Sequence, residues 1–415
     1  MQALAVSVGS DHSCALLNGG AVKCWGQGGA QLGQGNNDQA GQTVSSMGDN
    51  LAAVDLGTGK TATAIASGHG TTCALLNDGT VKCWGGGGSL GNGNDNSVGD
   101  DSGEMGDNLA AVDLGTGKTA TALFGGSGYS CALLNDGTVK CWGYNVSGQL
   151  GQGHTNRIGD QAGEMGDNLA AVDLGTGKTA TTIATGENEA CALLNDGTVK
   201  CWGSNGYGQL GQGHSRELGD DPGEMGDNLA AVDLGTGKTA TAITGGTGFF
   251  CAVLNDGTVK CWGRNNGGRL GLGHTNRIGD QDGEMGDNLA AVDLGTGKTA
   301  TAIAAGSGYV CAILNDGTVK CWGESDLGQL GQGHPNSLGD DPGEMGDNLA
   351  AVDLGTGKTA TAISAFSSHT CALLNDNSVK CWGYGASGRL GHLAGVVGDG
   401  PGEMGDNLPT VDLGS

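Results

Sequence analysis

Residues 191–203 read CALLNDGTVKCWG, two apolar runs separated by Asn-Asp-Gly and carrying cysteines ten residues apart. Asn-Asp-Gly between two such runs signals a hairpin, because glycine readily takes the positive φ that closes a tight turn. The segment recurs unchanged from Cys73 and Cys131, and with edits from Cys14, Cys251, Cys311 and Cys371. Successive first cysteines are 59, 58, 60, 60, 60 and 60 residues apart. The chain is therefore seven repeats of about 60 residues, expected to form one domain over 1–415.

Within the unit 181–240, TTIA, CALL and TVKCW read as three short strands and LAAVDL as a fourth. The long segment GSNGYGQLGQGHSRELGDDPGEMGDN crosses the surface between the third and fourth. No stretch holds a 3.6-residue apolar period, so the fold class is all-β. Four strands repeated seven times predict a closed seven-bladed β-propeller of four-stranded blades, with an open solenoid as the alternative. The chain begins with ALAVSV and ends with VDLGS. Joined, these ends rebuild the sequence found between units. Whether VDL stays with its own blade or pairs with the next stays open at this level.

Counting outward from the Asn-Asp-Gly turn sets Leu134 opposite Thr138 and Cys131 opposite Cys141. Directly opposed antiparallel residues lie about 4.5 or 5.5 Å apart, within disulfide range. The expected bonds are Cys14–Cys24, Cys73–Cys83, Cys131–Cys141, Cys191–Cys201, Cys251–Cys261, Cys311–Cys321 and Cys371–Cys381, which use all fourteen cysteines. A metal centre would need four ligands converging at shorter spacing, and a redox site a Cys-x-x-Cys loop. Buried reduced cysteines are the remaining alternative. Disulfides imply an oxidising compartment, hence a secreted, periplasmic or cell-surface protein. The opening MQALAVSVGS has no basic segment followed by an extended apolar one, so a signal peptide is not expected within this chain.

With 87 glycines and 5 prolines but no three-residue period, the composition fits a turn-rich β protein. A net charge of −25 disfavours nucleic acid and anionic lipid as partners. No apolar run is long enough to insert in a membrane. A monomer is expected.

The combination of CALLNDGTVKCWG with NGYGQLGQG at 205–213 resembles the repeat of the regulator of chromosome condensation family. The resemblance implies a seven-bladed propeller. The chain resembles secreted bacterial members with cysteine-paired repeats. Other members include a nuclear exchange factor and a plant ultraviolet receptor, and one secreted member inhibits a β-lactamase. The family's histidine before the second strand survives as His12 and His369, while Thr71, Tyr129, Glu189, Phe249 and Tyr309 replace it in the other units. The seven tryptophans occupy one repeated position and read as packing.

GTGKT, as at Gly115–Thr119, lacks the first glycine of a phosphate loop and precedes a strand, so it reads as a turn. Asp220, Asp221, Glu224 and Asp227 are calcium candidates, with solvated acidic turns as the alternative. No other cofactor is expected. His154, His214, His274 and His334 recur in one turn and suggest a loop contact.

Sequence differences among the units concentrate before the first cysteine and after Trp-Gly, two segments that a meander places on one face. Every Phe and Tyr lies there: Phe124, Tyr129, Tyr144, Tyr207, Phe249, Phe250, Tyr309, Phe366 and Tyr384. With Arg264 and Arg269 they form the candidate protein-binding face, centred on Phe249, Phe250 and Tyr309. The expected function is non-enzymatic binding of an unidentified protein, an enzyme being one target class. A surface scaffold without a ligand is the first alternative. A lyase or hydrolase using Glu187, Glu189, Glu324 or Asp326 is the second. The disulfide reading predicts that full reduction raises the intact mass by fourteen hydrogens; free thiols in natively isolated protein would overturn it.

Overall fold

The computed structural model describes residues 1–392 and 395–415. Each unit folds as an antiparallel meander, such as Ala180–Thr185, Glu189–Leu194 and Val199–Gly203. Seven such sheets follow one another. Cys191 faces Cys201 and Leu193 faces Val199, the register set by the Asn-Asp-Gly turn. All seven cysteine pairs are bonded across this register, with Cα atoms 4.0–4.1 Å apart. Each bond closes a short loop and contributes roughly 2–3 kcal/mol on a chain-entropy account.

The expected fourth strand needs correction. In six units the fourth position is a single bridge from the long segment, such as Gly203 to Leu218. Only the last sheet gains a short fourth strand, Val396–Val397. LAAVDL is extended but makes no ladder. It is held by backbone bonds from Val232 N–H to Val199 O at 2.8 Å in its own unit and from Gly286 N–H of the next unit to Asp233 O at 3.0 Å, and by burial of Leu229, Val232 and Leu234. The short turn at Gly226–Asn228 just before it takes up backbone that a longer strand would need. The valine of VDL bonds to the third strand of its own unit throughout, as Val411 N–H to Val379 O shows at the end of the chain.

Successive units are joined by a repeated set of polar contacts. The lysine of VKCW is buried and spans two units. Lys200 Nζ donates to Leu174 O of the preceding unit at 3.0 Å and to Gly226 O of its own at 2.8 Å. Burial lowers the pKa of Lys200, and Asp227 and Asp173 oppose that shift. Beside it, Thr176 donates its amide and hydroxyl to the Asp227 carboxylate. Trp202 Nε1 donates to Gln149 O, again in the preceding unit.

The same set recurs between the last unit and the first. Lys23 Nζ donates to Leu413 O at 2.9 Å and Gly48 O at 2.8 Å. Ser415 stands for the threonine, donating to Asp49, and Trp25 Nε1 donates to Arg389 O. The strand Ala3–Val8 packs against Ala360–Phe366 and His369–Leu374.

Replacing Lys200 with Met would leave the buried Leu174 carbonyl unpaired and Gly226 O with the Leu229 amide at 3.3 Å, a loss of roughly 1–3 kcal/mol for the unpaired carbonyl. Urea unfolding of Lys200→Met and Lys23→Met is expected to show similar losses. A Lys23→Met variant as stable as wild type would mean that the chain ends do not dock as interior units do.

Candidate functional site

The two variable segments meet at one end of every sheet. Tyr144 N–H donates to Gly128 O, Ser204 to Asn188 O, Arg264 to Gly248 O and Tyr384 to Ser368 O, all at 2.8–2.9 Å. The Asn-Asp-Gly and GTGK turns meet at the other end, where Lys178 pairs with Asp196. The lysine of GTGK is thus an ion-pair partner of a turn.

Several aromatic candidates lie inside the molecule. Phe249, Phe250, Tyr129 and Tyr309 are fully buried, so they cannot form the expected anchor for a partner. The middle strand of each unit is covered on both faces by its neighbours, and residues that open it are covered too. Tyr129 Oη donates to Glu189 O, Tyr309 Oη meets Thr370 Oγ1 at 2.9 Å, and Phe250 lies 6.4 Å from the Trp262 ring. Arg269 is corrected as well. Only 2% exposed, it pairs with Glu324, donates to Thr247 O and Ser307 O, and covers Phe249. Glu324 is therefore engaged in a structural ion pair.

Other candidates remain accessible. Tyr144 is 45% exposed and Tyr207 42%, in adjacent units. Arg157 stacks over Tyr144 at 4.3 Å and Arg264 over Tyr207 at 5.1 Å. Tyr384 is half-buried beneath Arg389. Val146, 65% exposed beside Tyr144, belongs to this surface but escapes a search restricted to aromatics and arginines. Its place in a variable segment was the available signal.

Phe124 and Phe366 are half-buried and face inward. They line a central cavity of about 310 Å³ bounded by the first strands of all seven units, with Val6, Ile65, Ile183 and Ile243 among its apolar residues. At the variable end it meets a pocket of about 240 Å³. One turn residue from each unit stands there: Ser10, His69, Ser127, Glu187, Thr247, Ser307 and Ser367.

The calcium candidates do not converge. Asp227 accepts from Thr176, and Glu224 accepts the amides of Gly219 and Asp221 at 2.8 and 3.2 Å. Among the described residues, no group of three or more His, Cys, Asp or Glu side chains is placed to hold a metal ion. His154, His214, His274 and His334 each accept a loop amide at Nδ1. Among the described residues, no helix is long and apolar enough to cross a membrane.

Seven meanders with a shared central cavity define an all-β repeat protein of propeller type. The sequence profile of the regulator of chromosome condensation (RCC1) repeat matches residues 4–34, 62–91, 120–149, 180–209, 240–269, 300–329 and 360–389, and the chain belongs to that repeat family. It is 28% identical over 406 residues to the ultraviolet-B receptor UVR8 of Arabidopsis thaliana, covering 94% of this chain and 78% of the receptor. It is 27% identical over 314 residues to the E3 ubiquitin-protein ligase HERC2 of Homo sapiens, covering 74% of this chain and 6% of the ligase. Yeast RCC1 (Prp20), solved bound to Kap60, shares the fold with a TM-score of 0.64 at 20% identity, covering 97% of this chain and 83% of that one.

The position ahead of the second strand links neighbouring units through different chemistry in different places. His12 Nε2 meets Thr72 Oγ1 at 2.8 Å, and His369 Nε2 meets Ser13 Oγ at 2.9 Å. Burial lowers both histidine pKa values, that of His12 to about 4. Glu189 in the same position accepts the amides of Gly248 and Asn188 at 2.9 and 3.0 Å. Burial raises its pKa to about 7; the two amides oppose this, and nearby Glu187 adds to it. Folded protein therefore holds this proton between about pH 4.5 and 7 while unfolded protein releases it, so stability falls as pH rises through that window. Between pH 5 and 8 the melting temperature of wild type should fall more than that of Glu189→Gln. Parallel profiles would remove Glu189 as the cause.

Proposed function

We propose that residues 1–415 form one closed seven-bladed propeller, working as a monomer outside the cell or on its surface to bind another protein through its variable-loop end. The repetition of the Lys–carbonyl, Trp–carbonyl and hydroxyl–Asp contacts between the last and first units supports closure. Seven disulfides, with no free cysteine among the described residues, support an oxidising location.

The observation that carries the binding role is the clustering of exposed apolar surface. Among the described residues, Tyr144, Val146 and Tyr207 are three of the few large apolar side chains left exposed, and all lie after the Trp-Gly of adjacent units. Tyrosine stacked with arginine on an otherwise acidic molecule offers apolar area and local charge contrast together. Yeast RCC1 (Prp20), which shares this fold, has been solved bound to another protein, Kap60.

The test is affinity capture from native extracellular material with wild type and a Tyr144→Ala/Tyr207→Ala variant. Loss of a hot-spot aromatic is expected to cost about 2 kcal/mol or more of binding. The double variant should retain its melting temperature. Phe249→Ala should instead destabilise the fold by about 3–5 kcal/mol. A partner held equally by wild type and the double variant would overturn this choice of surface.

A further inference from the structure

We propose that the pocket at the variable-loop mouth of the central cavity is a socket for a primary ammonium on an alkyl stem, the chemistry of a lysine side chain presented by the docked protein. This rests on the binding role proposed above and names the group that the partner inserts.

The socket has a wall of acceptors. Its rim carries hydroxyls, from Ser127, Thr247, Ser307 and Ser367 among others, and the exposed carboxylate of Glu187. Glu189 lies directly behind the same wall, where a Cβ added to Gly186 would collide with its carboxylate. Glu187 makes no salt bridge among the described residues. The neighbouring arginines are committed elsewhere, Arg269 to Glu324 and Arg389 to Asp11. Among the described residues, no lysine or arginine lines the pocket, and His69 is its basic residue. The local charge is thus negative on a molecule of net charge −25, which favours a cation and opposes a carboxylate or phosphate.

A second observation lies just below. Ser67 is a residue of the wall of the central cavity, and its buried Oγ has no hydrogen-bond partner among the described residues. Thr185, Gly245, Ala305 and Phe366 line both spaces, so the two are continuous. Buried hydroxyls in native proteins are nearly always paired. Phe366 offers apolar surface to an alkyl stem, while the hydroxyls and Glu187 offer lone pairs to three N–H donors. Ammonium suits such scattered acceptors, whereas a planar guanidinium favours a bidentate carboxylate partner.

The experiment titrates the purified protein with n-butylammonium at constant ionic strength, following chemical shifts by NMR. n-Butanol and n-butylguanidinium serve as comparison probes. Saturable binding of the ammonium is expected, at least tenfold weaker in Glu187→Gln and in His69→Lys, and tighter in His69→Glu. Both positions border solvent, and each variant's melting temperature checks its fold. Equal binding of n-butanol, tighter binding of the guanidinium, or an affinity unmoved by Glu187→Gln would overturn the proposal. So would the absence of saturable binding. Tyr144→Ala/Tyr207→Ala should leave the probe affinity unchanged while losing the partner, which separates failure of the socket from failure of the binding surface.

Discussion

A lysine ammonium held between two backbone carbonyls is the contact on which the assembly of the units depends. Seven copies of VKCW each supply one, at Lys23, Lys82, Lys140, Lys200, Lys260, Lys320 and Lys380, and each reaches the preceding VDL segment. A buried ammonium is costly unless it is paired and hydrogen-bonded. Here both carbonyls belong to backbone outside the β-ladder, and the one in the VDL segment has the lysine as its donor. The lysine thus meets the demand created by the missing fourth strand. Nearby carboxylates, Asp173 and Asp227 around Lys200, favour its charged form. Part of the chain's acidity is therefore spent within its own architecture.

The remaining contacts divide the work. Disulfides hold the second strand to the third inside a unit, while tryptophan, lysine and the hydroxyl–aspartate pair hold one unit to the next. One seam departs from the pattern. Trp142 Nε1 is buried without a partner, whereas the other tryptophans donate to a turn carbonyl of the preceding unit. By the same spacing its acceptor would be the carbonyl of Ser89, in the unit whose turn reads GGGGSLG.

Variation within the repeats has two physical origins. Ahead of the second strand, His12 meets Thr72, Tyr309 meets Thr370 and His369 meets Ser13. Such differences fit neighbouring units to each other, and they bury the aromatics expected on the surface. After Trp-Gly, Tyr144, Val146 and Tyr207 face solvent, with Arg157 and Arg264 stacked over the two tyrosines. The second kind of variation is the one that bears on recognition. Separating the two requires the neighbour of each side chain, which sequence variability does not supply.

The repeat period, the all-β class, the Asn-Asp-Gly hairpin and all seven cysteine pairs were legible in the amino-acid sequence. Each rests on contacts within about a dozen residues or on simple recurrence. The family resemblance was legible too, from the repeated Trp-Gly and GQLG turns. The role of the VKCW lysines, the burial of Phe249, Phe250, Tyr309 and Arg269, and the wall shared by Glu187 and Glu189 were decided only by tertiary structure. These depend on contacts across roughly 20 to 60 residues of chain, many of them with neighbouring units. A strand pattern states which side chains share a face, but the adjoining sheet determines whether that face meets solvent.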